Sequence, residues 1–311
     1  MKVRWFDRVT YVAARAAIGV AARIPQWLGY AFADLLGRTW FHCDRRRRGY
    51  ALHFLRNAFP GRPERELLRL GARSTGNLFK VPLDMARLTR LLGRGGDIRE
   101  VLEPAEAGEY IARLRPPYFG LTAHLGNWEV SAIGVAQLAG GAHGVARIAK
   151  NPLLQQWILE NRQRGGLLIH PRRGGIRDMA KALAGGSVGL QVVDQNQRLR
   201  GAFVPFFGEV ASCERAAVSL ALRHGYPILI GAAIRQGRGF RFRFLAAEPF
   251  VLAATGDRRA DLLAGVARVN RVLEDLIRQV PEQYLWIHDR YRTKAPVGAA
   301  HVDGDDDGDE P

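Results

Sequence analysis

Residues 118–138 read YFGLTAHLGNWEVSAIGVAQL, and their pattern changes partway along. Residues 118–123 form a short, continuous apolar run suited to a buried strand, whereas 127–138 look helical. Gly126 supplies the turn between them and Asn127 the helix cap. Strand-like runs recur at 167–169, 188–193, 227–234 and 240–245, and helical patterns at 176–184, 212–223 and 257–279. Asn151 before Pro152 marks a further helix start, running to about Arg164. Strands alternating with helices predict one α/β domain with a central sheet flanked by helices. Upstream, residues 50–110 read as helices, broken at Pro60-Gly61. Residues 296–311 are mainly Gly, Ala and Asp, too poor in apolar surface to order themselves, and predict a disordered acidic tail. The expected division is a membrane-associating helical segment at 1–49, the main domain at 50–295 and that tail.

The 311 residues are 47% hydrophobic and 24% charged, an ordinary globular composition that excludes collagen-like, mucin-like and wholly disordered chains. The net charge is +16, and six of the acids lie within 303–310, leaving 46 basic against 24 acidic residues, or +22, on the rest. Lysine occurs only at Lys2, Lys80, Lys150, Lys181 and Lys294. The surplus is therefore guanidinium, which suits bidentate contact with phosphate or carboxylate and predicts an anionic partner. Cys43 and Cys213 are far apart and lack metal-ligand spacing, so neither a disulfide scaffold nor a zinc module is expected, and a reducing compartment is the default.

The N-terminal apolar region is interrupted by Arg4, Arg8, Arg15 and Arg23 and does not read as a signal peptide. No stretch reaches the ~18 uninterrupted apolar residues of a spanning helix, so the chain is expected on the cytoplasmic side of its membrane. On a helical wheel Arg4, Arg8 and Arg15 fall within about 40° of each other, with Trp5, Phe6, Val9, Val12, Val20 and Ile24 spread over the other side. A second amphipathic segment, 27–40, precedes Arg45 to Arg48, a cluster fit for acidic lipid headgroups. The competing reading packs these apolar faces on the domain and leaves the arginines in water.

The chemistry centres on His124 and Glu129. On a continuous helix a five-residue offset separates two side chains by about 140°. With the strand ending near His124 and the turn at Gly126, Glu129 instead occupies the first helical turn and can reach back to the imidazole. A carboxylate on one ring nitrogen sets the tautomer and raises the basicity of the other, as a general base for a hydroxyl requires. Exposed amides at the helix start are candidates for holding an oxyanion. Taken alone, such a pair is more often a satisfied histidine and a surface glutamate.

Four ordered blocks supply context: His124-x4-Glu129 within LTAHLGNWE; Asn151-Pro152-Leu153-Leu154 with Arg162 and Arg164; Asp194-Gln195 followed by Phe203-Val204-Pro205-Phe206-Phe207-Gly208; and Pro281 to His288 with Arg290 and Thr293. Together they resemble the late lauroyl and myristoyl acyltransferases of lipid A biosynthesis, within the lysophospholipid acyltransferase superfamily. The resemblance implies a glycerol-3-phosphate acyltransferase-like domain preceded by membrane-docking helices. It implies transfer of a fatty acyl group from acyl carrier protein or acyl-CoA to a hydroxyl of a phosphorylated glycolipid, at the cytoplasmic face of the inner membrane, peripheral or monotopic, on anionic lipid. His124 would be the base and Glu129 its support. Arg162 or Arg164 would be a cation near the acceptor phosphate or the developing charge, and Asp194 with Gln195 further polar groups of the site.

Other residues have plainer readings. Phe203, Phe206 and Phe207 suit an acyl tunnel or the core, the latter being commoner for such clusters. His288 reads as structural, since one base is enough. No histidine spacing implies a metal, and no glycine pattern implies a nucleotide, so no cofactor is expected. The same fold could serve a phosphatidylinositol mannoside or another lysolipid, although Glu at 129 leans toward the lipid A group. The surplus charge alone also fits a nucleic-acid-binding protein, but no recognised motif for one is present, and no nucleic-acid partner is expected.

Overall fold

The computed structural model describes residues 3–146 and 149–295. The expected tail at 296–311 lies outside them. Four helices come first: α1 (Trp5–Ala21), α2 (Gln26–Cys43), α3 (Arg45–Ala58) and α4 (Glu64–Gly93), the last running on through Pro82. The α/β part follows. It comprises β1 (Leu102–Glu103), α5 (Ala105–Arg113), β2 (Tyr118–Thr122), α6 (Trp128–Leu138), β3 (Ala142–Ala146), α7 (Pro152–Arg164), β4 (Leu167–Pro171), α8 (Gly175–Ala184) and β5 (Val188–Val192). Then come β6 (Ala202–Phe206), β7 (Glu209–Cys213), α9 (Ala216–His224), β8 (Ile228–Arg235), β9 (Phe242–Ala246) and α10 (Arg258–Gln279).

Seven strands form one sheet in the order β1-β9-β8-β2-β5-β3-β4, parallel except for the β8/β9 hairpin, while β6 and β7 make a separate antiparallel ribbon. Helices cover both faces, so the central strands are apolar throughout rather than alternating. Alternation persists in which core each residue joins. Phe119 and Leu121 enter the core built with α3, α8, α9 and α10, while Tyr118 enters the one built with α5 and α6. Gly120 sits where a Cβ would come within 2.6 Å of the Leu190 side chain, which lets β2 lie closely against β5.

The helical pattern expected at 212–223 starts later: Ser212 and Cys213 finish β7, and α9 begins only at Ala216. The apolar sides of α1 and α2 do not all pack inward: Trp5, Phe6, Val9, Val12, Val20, Trp27, Phe32 and Leu35 are exposed. No described helix is long and apolar enough to cross a membrane.

Candidate active site

Register builds the site. Parallel β2 and β5 pair Thr122 with Val192, so two residues further on, just past the strand ends, His124 and Asp194 face each other. The C-terminal edge of a parallel sheet is where α/β folds gather reacting groups. His124 Nδ1 lies 2.7 Å from Asp194 Oδ1, and the His124 amide donates to Asp194 Oδ2 at 3.0 Å. The other ring nitrogen, Nε2, receives the Gln195 amide at 3.2 Å. An ionised carboxylate only accepts, so Nδ1 carries the proton and Nε2 presents a lone pair.

Asp194 is buried. Desolvation works to raise its carboxyl pKa, but the charge of His124 and two hydrogen bonds from that residue bring it down to about 2. For His124, burial opposes the imidazolium, yet the Asp194 charge prevails and holds the pKa above the ordinary histidine value. His288 is pushed down to about 4, chiefly by burial. It is therefore neutral at pH 7, and its Nε2 accepts the Asn196 amide at 3.1 Å, pinning the loop that follows Asp194.

The expected contact between Glu129 and the imidazole is not made. Asn127 caps α6 through Oδ1, which accepts from the Glu129 and Val130 amides at 3.1 and 3.0 Å. From that first turn the Glu129 carboxylate meets Arg162 on α7, with Arg162 Nε to Oε2 at 3.0 Å and Nη2 to Oε1 at 2.5 Å. This two-pronged match of fork to carboxylate takes up both oxygens. Arg164, two residues on, is exposed and reaches only Asn161, at 3.5 Å. Of the two candidate arginines, Arg162 is the one that pairs with Glu129.

Four of the amides around the helix start are taken up within the fold. The amides of Gly126 and Asn127 already donate to the Gln283 and Ala233 carbonyls, and those of Glu129 and Val130 to Asn127. Gly126 has φ 58°, and a Cβ there would stand 2.1 Å from the Ala233 oxygen. The turn is pressed onto the end of β8, and only glycine fits it.

Three hollows lie near these groups. An apolar cavity of about 100 Å³ lies between α6 and the sheet, lined by Trp128, Leu190 and Phe244 among others. A second apolar cavity, about 270 Å³, lies between α1, α4 and α7. Glu129 and Arg162 line both, so their ion pair stands in the wall between them. The third, a polar cleft of about 740 Å³, contains Gln195. His124 sits between the first and the third, with its ring 4.8 Å from that of Trp128 and its Nε2 on Gln195.

Phe203, Phe206 and Phe207 belong to the core, where Phe206 and Phe207 pack with Phe54 and Phe207 also meets Trp286. Sequence reasoning missed Asp84. It is fully buried, accepts from Tyr30 at 2.7 Å and Asn127 at 3.0 Å, and pairs with Arg235, so it joins α2, α4, β8 and the turn before α6. A lone acid inside the apolar run VPLDMARL was its only signal in the sequence.

Residues 6–293 match the family model described as bacterial lipid A biosynthesis acyltransferase. A lipid A biosynthesis palmitoleoyltransferase of Escherichia coli (strain K12) is 27% identical over 154 residues, 49% of this chain and 48% of that protein. A lipid A biosynthesis lauroyltransferase of the same organism is 30% identical over 153 residues, with the same coverage of 49% and 48%. The chain thus spans about half the length of the curated relatives it matches. A crystal structure of the 1-acyl-sn-glycerophosphate acyltransferase of Thermotoga maritima aligns with 80% of this chain and 98% of its own, at 15% identity and a TM-score of 0.35.

Proposed function

This chain belongs to the bacterial lipid A biosynthesis acyltransferase family, and from that premise we propose that it moves a fatty acyl group from a thioester, on acyl carrier protein or CoA, to a hydroxyl of a phosphorylated lipid A-type glycolipid. The observation that carries this reading is the His124 imidazole, tied at Nδ1 to a buried carboxylate, with Nε2 held only by the exposed Gln195 side chain that an acceptor hydroxyl would displace, near an apolar cavity and a polar cleft.

In this step Nε2 takes the proton of the acceptor hydroxyl as its oxygen attacks the thioester carbonyl. A C–O bond forms, the C–S bond breaks, and the imidazolium returns its proton to the departing thiolate. The acceptor is itself the nucleophile, so no acyl-enzyme is required. Asp194 orients the imidazole and stabilises its charged form. Arg162, held by Glu129, supplies the cation for the developing negative charge. The apolar cavities on either side of that ion pair suit acyl chains.

The exposed tryptophans and phenylalanines of α1 and α2, beside Arg4, Arg8 and Arg15, suit docking on anionic lipid at the cytoplasmic face of the inner membrane. Residues 1–49 then serve as the docking segment and 50–295 as the catalytic body.

The test is incubation of detergent-purified protein and its His124→Ala variant with acyl carrier protein thioesters of several lengths and a phosphorylated glucosamine-disaccharide lipid, followed by mass spectrometry. The expected result is a gain of one acyl group that disappears in the variant. Near wild-type turnover by a folded His124→Ala protein removes His124 as the base. Sedimentation with vesicles containing anionic lipid tests docking, which should weaken in Trp5→Ser/Trp27→Ser.

A further inference from the structure

The polar cleft on the Gln195 side of His124 collects arginines from four separate parts of the chain. Arg46 and Arg47 come from the first turn of α3, Arg172 from the turn after β4 with Arg198 from the loop after β5, and Arg292 from the C-terminal segment. Asp289 is the only acid among the lining residues. Arg46 leans on Tyr50, with a 2.7 Å bond from Nε to the hydroxyl, and Arg47 reaches the Ile287 carbonyl at 3.4 Å. Arg172, Arg198 and Arg292 have no hydrogen-bond or ion-pair partner among the described residues.

Two features oppose this arrangement unless an anion is present. Like charges gathered around one hollow repel each other. Arg45 to Arg48 also occupy the N-terminal turn of α3, where the backbone dipole favours anions and disfavours cations, and the Asp44 cap, accepting the Arg47 amide at 2.9 Å, is one carboxylate against four guanidinium groups. A bound anion relieves both. The cleft floor is nevertheless well held: Asn196 exchanges bonds of 3.0 and 3.1 Å with Thr293 and donates its amide to His288, and Gln197 bonds Glu214 at 2.5 Å. Exposed guanidinium groups converging on one concavity, with Arg198 three residues beyond the Gln195 that bonds His124 on a loop held by Asn196 and Gln197, describe a receptor for a charged group.

Resting on the acyl-transfer reading, we propose that this cleft binds the phosphorylated sugar headgroup of the acceptor, with Arg198 and Arg292 as phosphate ligands and Arg46, Arg47 and Arg172 completing the field. Its volume of about 740 Å³ accommodates sugars, and its concavity suits a headgroup better than the convex face of a carrier protein. Headgroup and acyl chain then approach His124 from opposite sides, the hydroxyl through the cationic cleft and the thioester along the apolar cavities. The phosphate is held here, which leaves Arg162 to the reacting carbonyl.

The experiment titrates the full-length protein in detergent with a phosphorylated glucosamine disaccharide lacking acyl chains, with its unphosphorylated counterpart, and with the phosphopantetheine thioester of the donor. The comparison is between wild type, Arg198→Gln/Arg292→Gln, and a charge-matched control, Arg223→Gln/Arg258→Gln, in the hollow between α9 and α10. Wild type and control should bind the phosphorylated sugar much more tightly than the unphosphorylated one, and the cleft variant should lose roughly tenfold or more per guanidinium. Binding of the thioester should be unchanged in the variant. Equal binding of the two sugars, an unimpaired cleft variant, or a loss confined to the thioester overturns the proposal. Headgroup binding without any acyl transfer by wild type would preserve the cleft and discard the acyl-transfer reading, so the two failures are distinguishable.

Discussion

Asp194 is ionised throughout the physiological range, and its charge is what His124 feels. A base must be neutral to act, so kcat/KM should rise with pH through a His124 pKa that lies above the usual ~6.5. Asp194→Asn removes the anion that favours imidazolium. The acidic limb of the pH profile should therefore move to lower pH while the plateau falls by about a hundredfold or more. An unmoved limb would show that Asp194 does not govern the imidazole. Arg162 and Arg164 should differ sharply. Arg162→Lys keeps the charge but loses the two-pronged bond to Glu129, and should reduce turnover at least about tenfold, whereas Arg164→Gln should remain near wild type. Equal losses in the two would contradict the placement described above. At this scale the His124-x4-Glu129 spacing located the strand-to-helix turn, but the carboxylate on the imidazole is Asp194, while Glu129 meets Arg162. The acid that reaches the ring comes from 70 residues away, a distance that no local pattern encodes.

The elements were most legible where apolar runs were long and bounded by turn residues, as at β2, β5 and β8. They were least legible at β3, whose AHGVA carries a polar residue and a glycine in five positions, and at β6, where Pro205 weakens the strand signal. Pairing decides such segments: Ala202 to Phe206 is a strand because Glu209 to Cys213 folds back on it, register for register. The turn between β2 and α6 yields the sharpest test at this scale. Gly126→Ala must place a Cβ 2.1 Å from the Ala233 oxygen at a left-handed φ. It should cost more than about 2 kcal/mol in denaturant unfolding and abolish turnover. Gly174→Ala, also at positive φ but with nothing within 4 Å of the added atom, should cost only about 1 kcal/mol. Similar losses at the two sites would mean that close approach to β8 is not what requires glycine at 126.

Across the whole molecule, the N-terminal helices and the turn before α6 share one buried polar cluster. Burial pushes the Asp84 carboxyl up against the pull of Arg235, whose guanidinium also lies 4.6 Å from the centre of the Tyr30 ring. Removing one member strands the other. Asp84→Asn should destabilise by about 3–5 kcal/mol, as expected when a buried cation loses its partner, while Tyr30→Phe, which deletes one hydrogen bond, should cost about 1 kcal/mol. Urea unfolding of both variants checks the ordering, and a smaller loss for Asp84→Asn would mean that the cluster does not bind the two regions together. Gln283 makes a comparable link at the other end of the chain, since its side chain bonds both the amide and the carbonyl of Arg235 at 2.9 and 3.2 Å while its own carbonyl receives Gly126. By itself the sequence determined the α/β class, the strand-to-helix turn with its Asn127 cap, the amphipathic N-terminus and the four blocks that place the chain in its family. These rest on local periodicity, on turn chemistry and on composition, which neighbouring residues specify among themselves. Only the tertiary structure decided that Asp194 holds His124, that Glu129 holds Arg162, and that arginines 46, 172, 198 and 292 surround one cleft. Those pairings depend on strand order and register, which bring distant residues together with a geometry that spacing along the chain does not contain.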